Sequence, residues 1–459
     1  VKTAVGTMIS EPLGRAIGYV ADLARRHAQQ ADQAQSFLRL ETRLPAIDPL
    51  AWLAAQEGED LMYWRDRDGQ AEYAVCGHAD LITVGPETTG AGFGTLLNDH
   101  IARARPELRY FGGFCFDPAR PLSRDWQPFG KLRLILPRWE LSRHGGESVL
   151  ACHVGPNDAE YWRHAHNRSA RLAELRALDH SPAPALQVSL EHSPDREQWD
   201  LLLDKVLAIL HSQPLSKLVL DRQSRLGITE RINPWSVLAR LRETAGNSYL
   251  FGISPVPGYC FLGASPERLY KRRTRHLATE AVAGTRPRGD SPAEDAAREK
   301  ELLQSEKEQL EHELVTRHIG EVLSRLCEQV TCDPTPRVLR LRHVMHRVTP
   351  FDSRLKEKVA DADILASLHP TPAVAGYPVA EAIKQLRIVS PVNRGWYAGP
   401  VGWTSTNAAE FAVAIRSALL TPQQAKFYAG AGIVSGSTAQ PEWHELDSKL
   451  ESLLEAFLA

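Results

Sequence analysis

Lys217-Leu-Val-Leu-Asp-Arg222 opens the part of the chain that decides the fold class. Short apolar runs bounded by turn residues predict strands over 217–224, 248–253 and 259–264. A basic turn, Lys271-Arg-Arg-Thr-Arg275, then leads into a strand ending near Val282. One helix, over 234–244, is predicted within this stretch, so strands follow one another with few of the crossover helices that parallel sheets need. The pattern is α+β, with antiparallel sheets and helices on their outer faces. No G-x-G-x-x-G follows a strand and opens a helix, which excludes a dinucleotide-binding parallel sheet.

Outward from this stretch, a helix is predicted over 196–212, two more over 292–326 and a last one over about 442–457. Between 47 and 153 the text reads mostly as strands, as in Tyr73-Ala-Val-Cys-Gly77, Tyr110-Phe-Gly-Gly-Phe-Cys-Phe-Asp-Pro118 and Leu132-Arg-Leu-Ile-Leu-Pro137. Residues 14–40 read as an amphipathic helix, and 158–178 as helical. His180-Ser-Pro-Ala-Pro-Ala185 and Glu191-His-Ser-Pro-Asp195 punctuate the chain and divide a strand-rich N-terminal subdomain (1–185) from a catalytic region (195–459) within one integrated fold.

With 459 residues, 43% of them apolar and 24% charged, the chain can bury a deep core, which excludes disorder. The most apolar runs, 201–210 and 411–420, are broken by charge and fall short of the roughly 18–20 residues that cross a bilayer. A net charge of −2 supplies no field for nucleic acid or anionic lipid, so no such partner is expected and any anionic ligand must be held locally. Six cysteines without a CxxC pair fit a reducing compartment, and the cytoplasm is the expected location.

Only 12 of the 54 basic residues are lysines. Lys217 shares a strand face with Val219 and Asp221; if that face is buried, a neutral amine there can serve as a base, whereas at a loop end the same lysine would be solvated. Glu308 and Glu311, and likewise Glu442 and Glu445, have i,i+3 spacing, with Lys449 one turn beyond Glu445. Such pairs are either solvated helix faces or, opposed across a cleft, hard oxygen ligands for Mg2+. Arg416 stands in an apolar strand, where it requires a salt-bridge partner or a bound carboxylate. Tyr428-Ala-Gly-Ala-Gly-Ile-Val434 can present backbone amides to an anion or make only a tight turn. Glu280 is a lone acid in a small-residue strand, where burial would keep it protonated.

These segments, taken in order, resemble the chorismate-utilising enzymes. The resemblance rests on Lys217-Leu-Val-Leu-Asp-Arg222, Phe261-Leu-Gly-Ala-Ser-Pro-Glu-Arg-Leu269, Thr279-Glu-Ala-Val-Ala-Gly-Thr-Arg-Pro-Arg-Gly289 and Glu311-His-Glu-Leu-Val315. It continues through Leu368-His-Pro-Thr-Pro-Ala-Val-Ala-Gly-Tyr-Pro378, Arg394-Gly-Trp-Tyr-Ala-Gly399 and Tyr428-Ala-Gly-Ala-Gly-Ile-Val434. It covers 195–459 strongly and the N-terminal part more loosely, and within the family it is most similar to the isochorismate synthases.

The resemblance implies antiparallel sheets packed as a sandwich, and an isomerase of hydroxymutase type: water adds at C2 of chorismate while the C4 hydroxyl leaves. It implies Lys217 as the base that activates water and Glu280 as the acid. Glu311 and Glu445 would be Mg2+ ligands, with Glu308 and Glu442 acting through water. Tyr397 and Arg416 would hold the pyruvyl carboxylate, with Lys449, Gly430 and Gly432 as further carboxylate contacts, His346 lining the ring site, and Gly284 and Thr285 in the substrate pocket. Ala283 stands where aminodeoxychorismate synthases carry a lysine, and Lys217 where anthranilate synthases lack one, so no glutaminase subunit is expected and the chain is read as a monomer or weak homodimer. A salicylate-forming lyase, or a binding protein without turnover, are the alternatives. Asp221 departs from the small residue usual in isochorismate synthases and, on the face of Lys217, would keep that lysine charged.

Overall fold

The structure, a computed structural model, describes residues 7–30, 36–85, 93–101, 105–156, 158–164, 171–178, 190–228 and 232–458. Strand Lys217–Gly227 pairs along its length with Gln424–Val434, from Lys217↔Val434 to Gly227↔Gln424. From there the ladder runs through Ser417–Leu420, Cys260–Ser265, Tyr249–Ser254, Leu61–Arg65 and Ala71–Val84 to Leu132–His144. A second run leaves Leu132–His144 through Tyr110–Phe114, Pro400–Thr404, Ala408–Val413 and Arg268–Arg273, then His276–Pro287 and Val344–Leu355. All of these pairs are antiparallel. Because Cys260–Ser265 continues into Arg268–Arg273, and Ala408–Val413 into Ser417–Leu420, the two runs share their crossing strands and the system closes on itself. Closure removes the exposed edges that long strands would otherwise present. The α+β fold with antiparallel sheets is the one read from the strand-rich stretch after Lys217.

The Pro-rich 180–185 stretch lies outside the described residues. Strands from either side of it interleave: Leu61–Arg65 pairs with Tyr249–Ser254, and Tyr110–Phe114 with Pro400–Thr404. A short 3-10 turn, Arg124–Phe129, sets Trp126 against Phe261 at 5.0 Å and Tyr428 at 6.0 Å between ring centroids. Losing a buried ring of this size costs about 3–5 kcal/mol, so the N-terminal residues are core to the later strands.

Two predicted elements differ. The first helix is Glu11–Gln30, and the strict alternation of Leu38-Arg-Leu-Glu-Thr-Arg-Leu44 makes a strand paired with Glu147–Val154 rather than a continuation of the helix. Within the described part of 158–178, Ala159–His164 is helical, and Glu174–Arg176 is instead a strand paired with Thr7–Ile9. All six cysteines are unpaired thiols. Among the described residues no helix is long and apolar enough to cross a membrane.

Helix placement around the sheets follows from caps. Ser305 ends helix Pro292–Gln304 and caps Glu306–Leu326, its hydroxyl accepting the Glu308 N–H. This stop and restart sets Glu308 and Glu311 on the first turns of a helix that packs on strand His276–Pro287. The last helix, Ala439–Leu458, buries Leu446, Leu450 and Leu453 and packs on Gln424–Val434.

Candidate active site

Lys217 begins a strand that is paired along its whole length, and its side chain is fully buried; the solvated loop-end alternative does not hold. Its Nζ meets Glu311 Oε1 at 2.8 Å. Gly432, on the neighbouring strand, makes that meeting possible: a Cβ there would stand 2.5 Å from Glu311 Oε1 and 2.8 Å from Lys217 Cε. Asp221 is not the partner of Lys217. Its Oδ1 accepts from Arg394 Nε at 3.0 Å and Nη2 at 2.9 Å, and from Ser390 Oγ at 3.3 Å. Arg394 also donates to Val219 O and Val374 O and lies over the Phe116 ring at 4.3 Å. The extra carboxylate therefore neutralises a buried guanidinium, and the expectation that it governs Lys217 is corrected.

Four glutamates gather from two helices, and each is met by a cation of the chain. Glu445 Oε1 pairs with Lys449 Nζ at 2.6 Å, Glu442 with Lys307, and Glu308 with Arg286. Glu308 also accepts the Thr285 N–H at 3.1 Å. Burial pushes Glu308 and Glu442 above the usual carboxylate range; Glu311 and then Glu445 push Glu308 further, and Glu445 does the same to Glu442. One oxygen of Glu442, Oε2, is buried with no partner. Among the described residues no three carboxylates or imidazoles stand close enough to hold an ion as they are. The donor chemistry fits a hard divalent cation, since mutual repulsion and an orphaned oxygen are what such an ion relieves.

Beside this cluster a cavity of about 70 Å3 is lined by Glu267, Gly284, Thr285, Glu311, His346, Tyr397, Arg416, Gly430 and Lys449. Arg416 sits at a break between Ala408–Val413 and Ser417–Leu420 rather than within one strand, with φ at 50°. Its donors go to Lys449 O at 3.2 Å and His346 Nε2 at 3.4 Å, and among the described residues no carboxylate lies within ion-pair distance of it. Burial lowers its pKa to about 10. A guanidinium so placed is a receptor for an anion. His346 completes the wall: burial, followed by the charge of Arg416, depresses it to about 3, so the ring is neutral. Its Nδ1 lies 3.1 Å from Thr285 Oγ1 and 3.3 Å from Gly284 O. Gly284 takes φ +82°, a conformation natural to glycine, and brings its carbonyl to the imidazole. Tyr397 stacks on Tyr428 at 5.2 Å, and the Gly430 carbonyl accepts from Lys449 Nζ at 2.7 Å.

Glu280 is placed differently from the expectation. It is buried, but it is not part of the cavity wall. Its Oε1 accepts from Arg67 Nη1 and, at 3.2 Å, from the Arg268 N–H, and its Oε2 from Arg67 Nη2 at 3.1 Å. A carboxylate accepting on both oxygens is the reverse of the proton donor that strand burial suggested. The acid that faces the cavity is Glu267, in the Phe261–Leu269 segment that was read only as a landmark. It is almost wholly buried, and burial, followed by the charge of Glu280, pushes it up to about 8, so that it carries a proton at neutral pH. An acid following Ser-Pro at the end of an unbroken apolar strand was the available signal.

A family profile described as "Chorismate binding enzyme" matches residues 23–458. Isochorismate synthase 2, chloroplastic, of Arabidopsis thaliana is 36% identical over 361 residues, covering 76% of this chain and 64% of that protein; the chain thus spans under two thirds of the plant relative. Isochorismate synthase MenF of Escherichia coli K12 is 32% identical over 411 residues, covering 89% of this chain and 90% of that one. The solved structure of MenF, the menaquinone-specific isochorismate synthase from Escherichia coli, superposes with a TM-score of 0.81 at 29% identity, over 96% of this chain and 100% of that chain.

Proposed function

The chain belongs to the chorismate-binding enzyme family, and on that premise we propose that it is an isochorismate synthase, an isomerase converting chorismate to isochorismate. The observation that carries this reading is one small cavity whose wall holds a buried protonated acid, Glu267, a guanidinium without a carboxylate partner, Arg416, and Glu311, the carboxylate to which the buried Lys217 is paired. Arg416, with Tyr397 and Lys449, binds the substrate carboxylates. Lys217 Nζ is the base that takes a proton from water as it adds at C2. Glu267 gives its proton to the C4 hydroxyl, which leaves as water while the double bonds shift. A carboxyl whose pKa lies near 8 is suited to that donation, because it is protonated at working pH yet gives the proton up readily.

Glu311 and Glu445, with Glu308 and Glu442 behind them, would hold Mg2+. When bound, the ion supplies electrostatic stabilisation to the ring carboxylate and withdraws density from the diene. Ala283 offers no amine for covalent chemistry with the ring, which favours water as the nucleophile. Unpaired thiols suit a reducing compartment, in keeping with a cytoplasmic reaction.

A chromatographic product assay with chorismate and MgCl2, with and without an ammonium salt, tests the reading. Isochorismate should be the product in both arms and EDTA should abolish it. Pyruvate released in step with chorismate loss would replace the isomerase by the salicylate-forming lyase, and chorismate binding without turnover would leave only a binding protein.

A further inference from the structure

The Glu267 carboxyl stands on a turn, Ser265-Pro-Glu-Arg268, linking Cys260–Ser265 to Arg268–Arg273. One side of this turn is tied to the neighbouring strand. Ser265 Oγ donates to Val413 O at 2.6 Å, and the Val413 N–H donates to Glu267 O at 3.1 Å. The other side is held from the N-terminal part of the chain. Arg67, at the tip of the hairpin joining Leu61–Arg65 to Ala71–Val84, donates through Nη1 to Pro266 O at 3.2 Å and binds Glu280 through both terminal nitrogens. Glu280 then accepts the Arg268 N–H at 3.2 Å. The peptides before and after Glu267 are therefore gripped by one bidentate ion pair, whose side chains are 15% and 3% exposed and which the reaction itself does not use.

We propose that Arg67 and Glu280 are positioning residues for the proton donor: the pair aims the Glu267 carboxyl into the cavity and sets the Glu280 carboxylate behind it. The inference rests on Glu267 acting as the acid. The other charges bearing on Glu267 are Lys217 and Lys449, which favour its ionised form, and Thr371 Oγ1, 3.5 Å from Oε1. Glu280 opposes them, the like charge next in weight after burial. Arg67 keeps Glu280 in place while its own charge is offset by the pairing. In this way a hairpin far from the catalytic strands in sequence acquires a part in the chemistry.

Three variants separate the possibilities: Glu267→Gln, Glu280→Gln and Arg67→Gln, each assayed for isochorismate formation across pH after its melting curve shows a folded protein. Glu280→Gln removes the like charge and leaves the Arg67 guanidinium uncompensated, so one of the two breaks of the pH–rate profile should move down by about one pH unit while the other stays. Arg67→Gln, at a partly exposed hairpin tip, should lower kcat at least tenfold with KM within twofold, since the turn loses its aim but the carboxylate-binding groups are untouched. A purely structural pair would leave the pH profile and the kcat-to-KM split unmoved. Wild-type kcat and unshifted breaks in folded Arg67→Gln and Glu280→Gln, with Glu267→Gln inactive, would overturn the clamp alone. Wild-type turnover in Glu267→Gln would overturn the acid assignment and the clamp with it.

Discussion

Gly432→Ala adds one methyl group at the point where Lys217 and Glu311 meet. On the native backbone that methyl carbon would lie 2.5 Å from Glu311 Oε1 and 2.8 Å from Lys217 Cε. To reach ordinary contact at 3.4 Å, the glutamate must retreat about 0.9 Å and the lysine stem about 0.6 Å. The backbone itself does not object, since Gly432 lies in an extended strand and not at a positive φ. Alanine there even restricts the unfolded chain, an effect of about 0.4–1 kcal/mol in favour of folding, which offsets part of the crowding. Stability should therefore change little while the reacting amine moves by roughly half an ångström or more, a displacement of the size that costs on the order of 100-fold in rate. The assay is kcat for isochorismate formation beside a thermal melt. Turnover within threefold of wild type, with the melting temperature unchanged, would refute the claim that Lys217 and Glu311 need this close approach.

Lys217→Ala should lower turnover by at least 100-fold without unfolding the chain, as followed by the product assay and circular dichroism; an active variant would remove Lys217 from the mechanism. Asp221→Asn strands the buried Arg394 without a counter-charge and should cost about 3–5 kcal/mol in urea unfolding; a loss under 1 kcal/mol would mean that Arg394 draws its compensation from Val219 O and Val374 O alone. Acid should destabilise the fold early. Burial depresses His153 to about 3 and His369 to about 4, whereas an unfolded histidine protonates near 6.5. Between those values the unfolded state binds more protons, so stability is full above pH 6.5 and falls as pH drops, each histidine contributing about 1.4 kcal/mol per pH unit. Glu267, Glu308 and Glu442, all raised, act with the opposite sign, while His312 and His346, depressed by burial to about 4 and about 3, add to the loss. Denaturation midpoints that stay flat from pH 7 to pH 5 would contradict the neutral burial of these histidines.

Much of the architecture and most of the site members were legible one residue at a time. Short apolar runs bounded by turn residues marked the strands from Lys217 onward, and i,i+3 spacing put Glu308 and Glu311 on one face of a helix. Lys217 and Arg416 stood out as charged residues in apolar strands and the four glutamates by their i,i+3 spacing, whereas Tyr397 and His346 were named only through the resemblance to the chorismate-utilising enzymes. What local reading could not supply was orientation. Glu280 lies within a strand and Glu267 on the turn that follows one, and the linear text does not say which of the two faces the cavity.

By itself the sequence determined the class of the fold and the order of the chemical groups along it, because hydrophobic period and turn chemistry act over a few residues. Only the tertiary structure decided which acid faces the cavity, which carboxylate belongs to Lys217 and which to Arg394, and that Arg67 reaches Glu280 from 213 residues away in the chain. Those outcomes depend on burial and on the distances between charges. Both are set by how the sheet closes on itself and not by any neighbour in sequence.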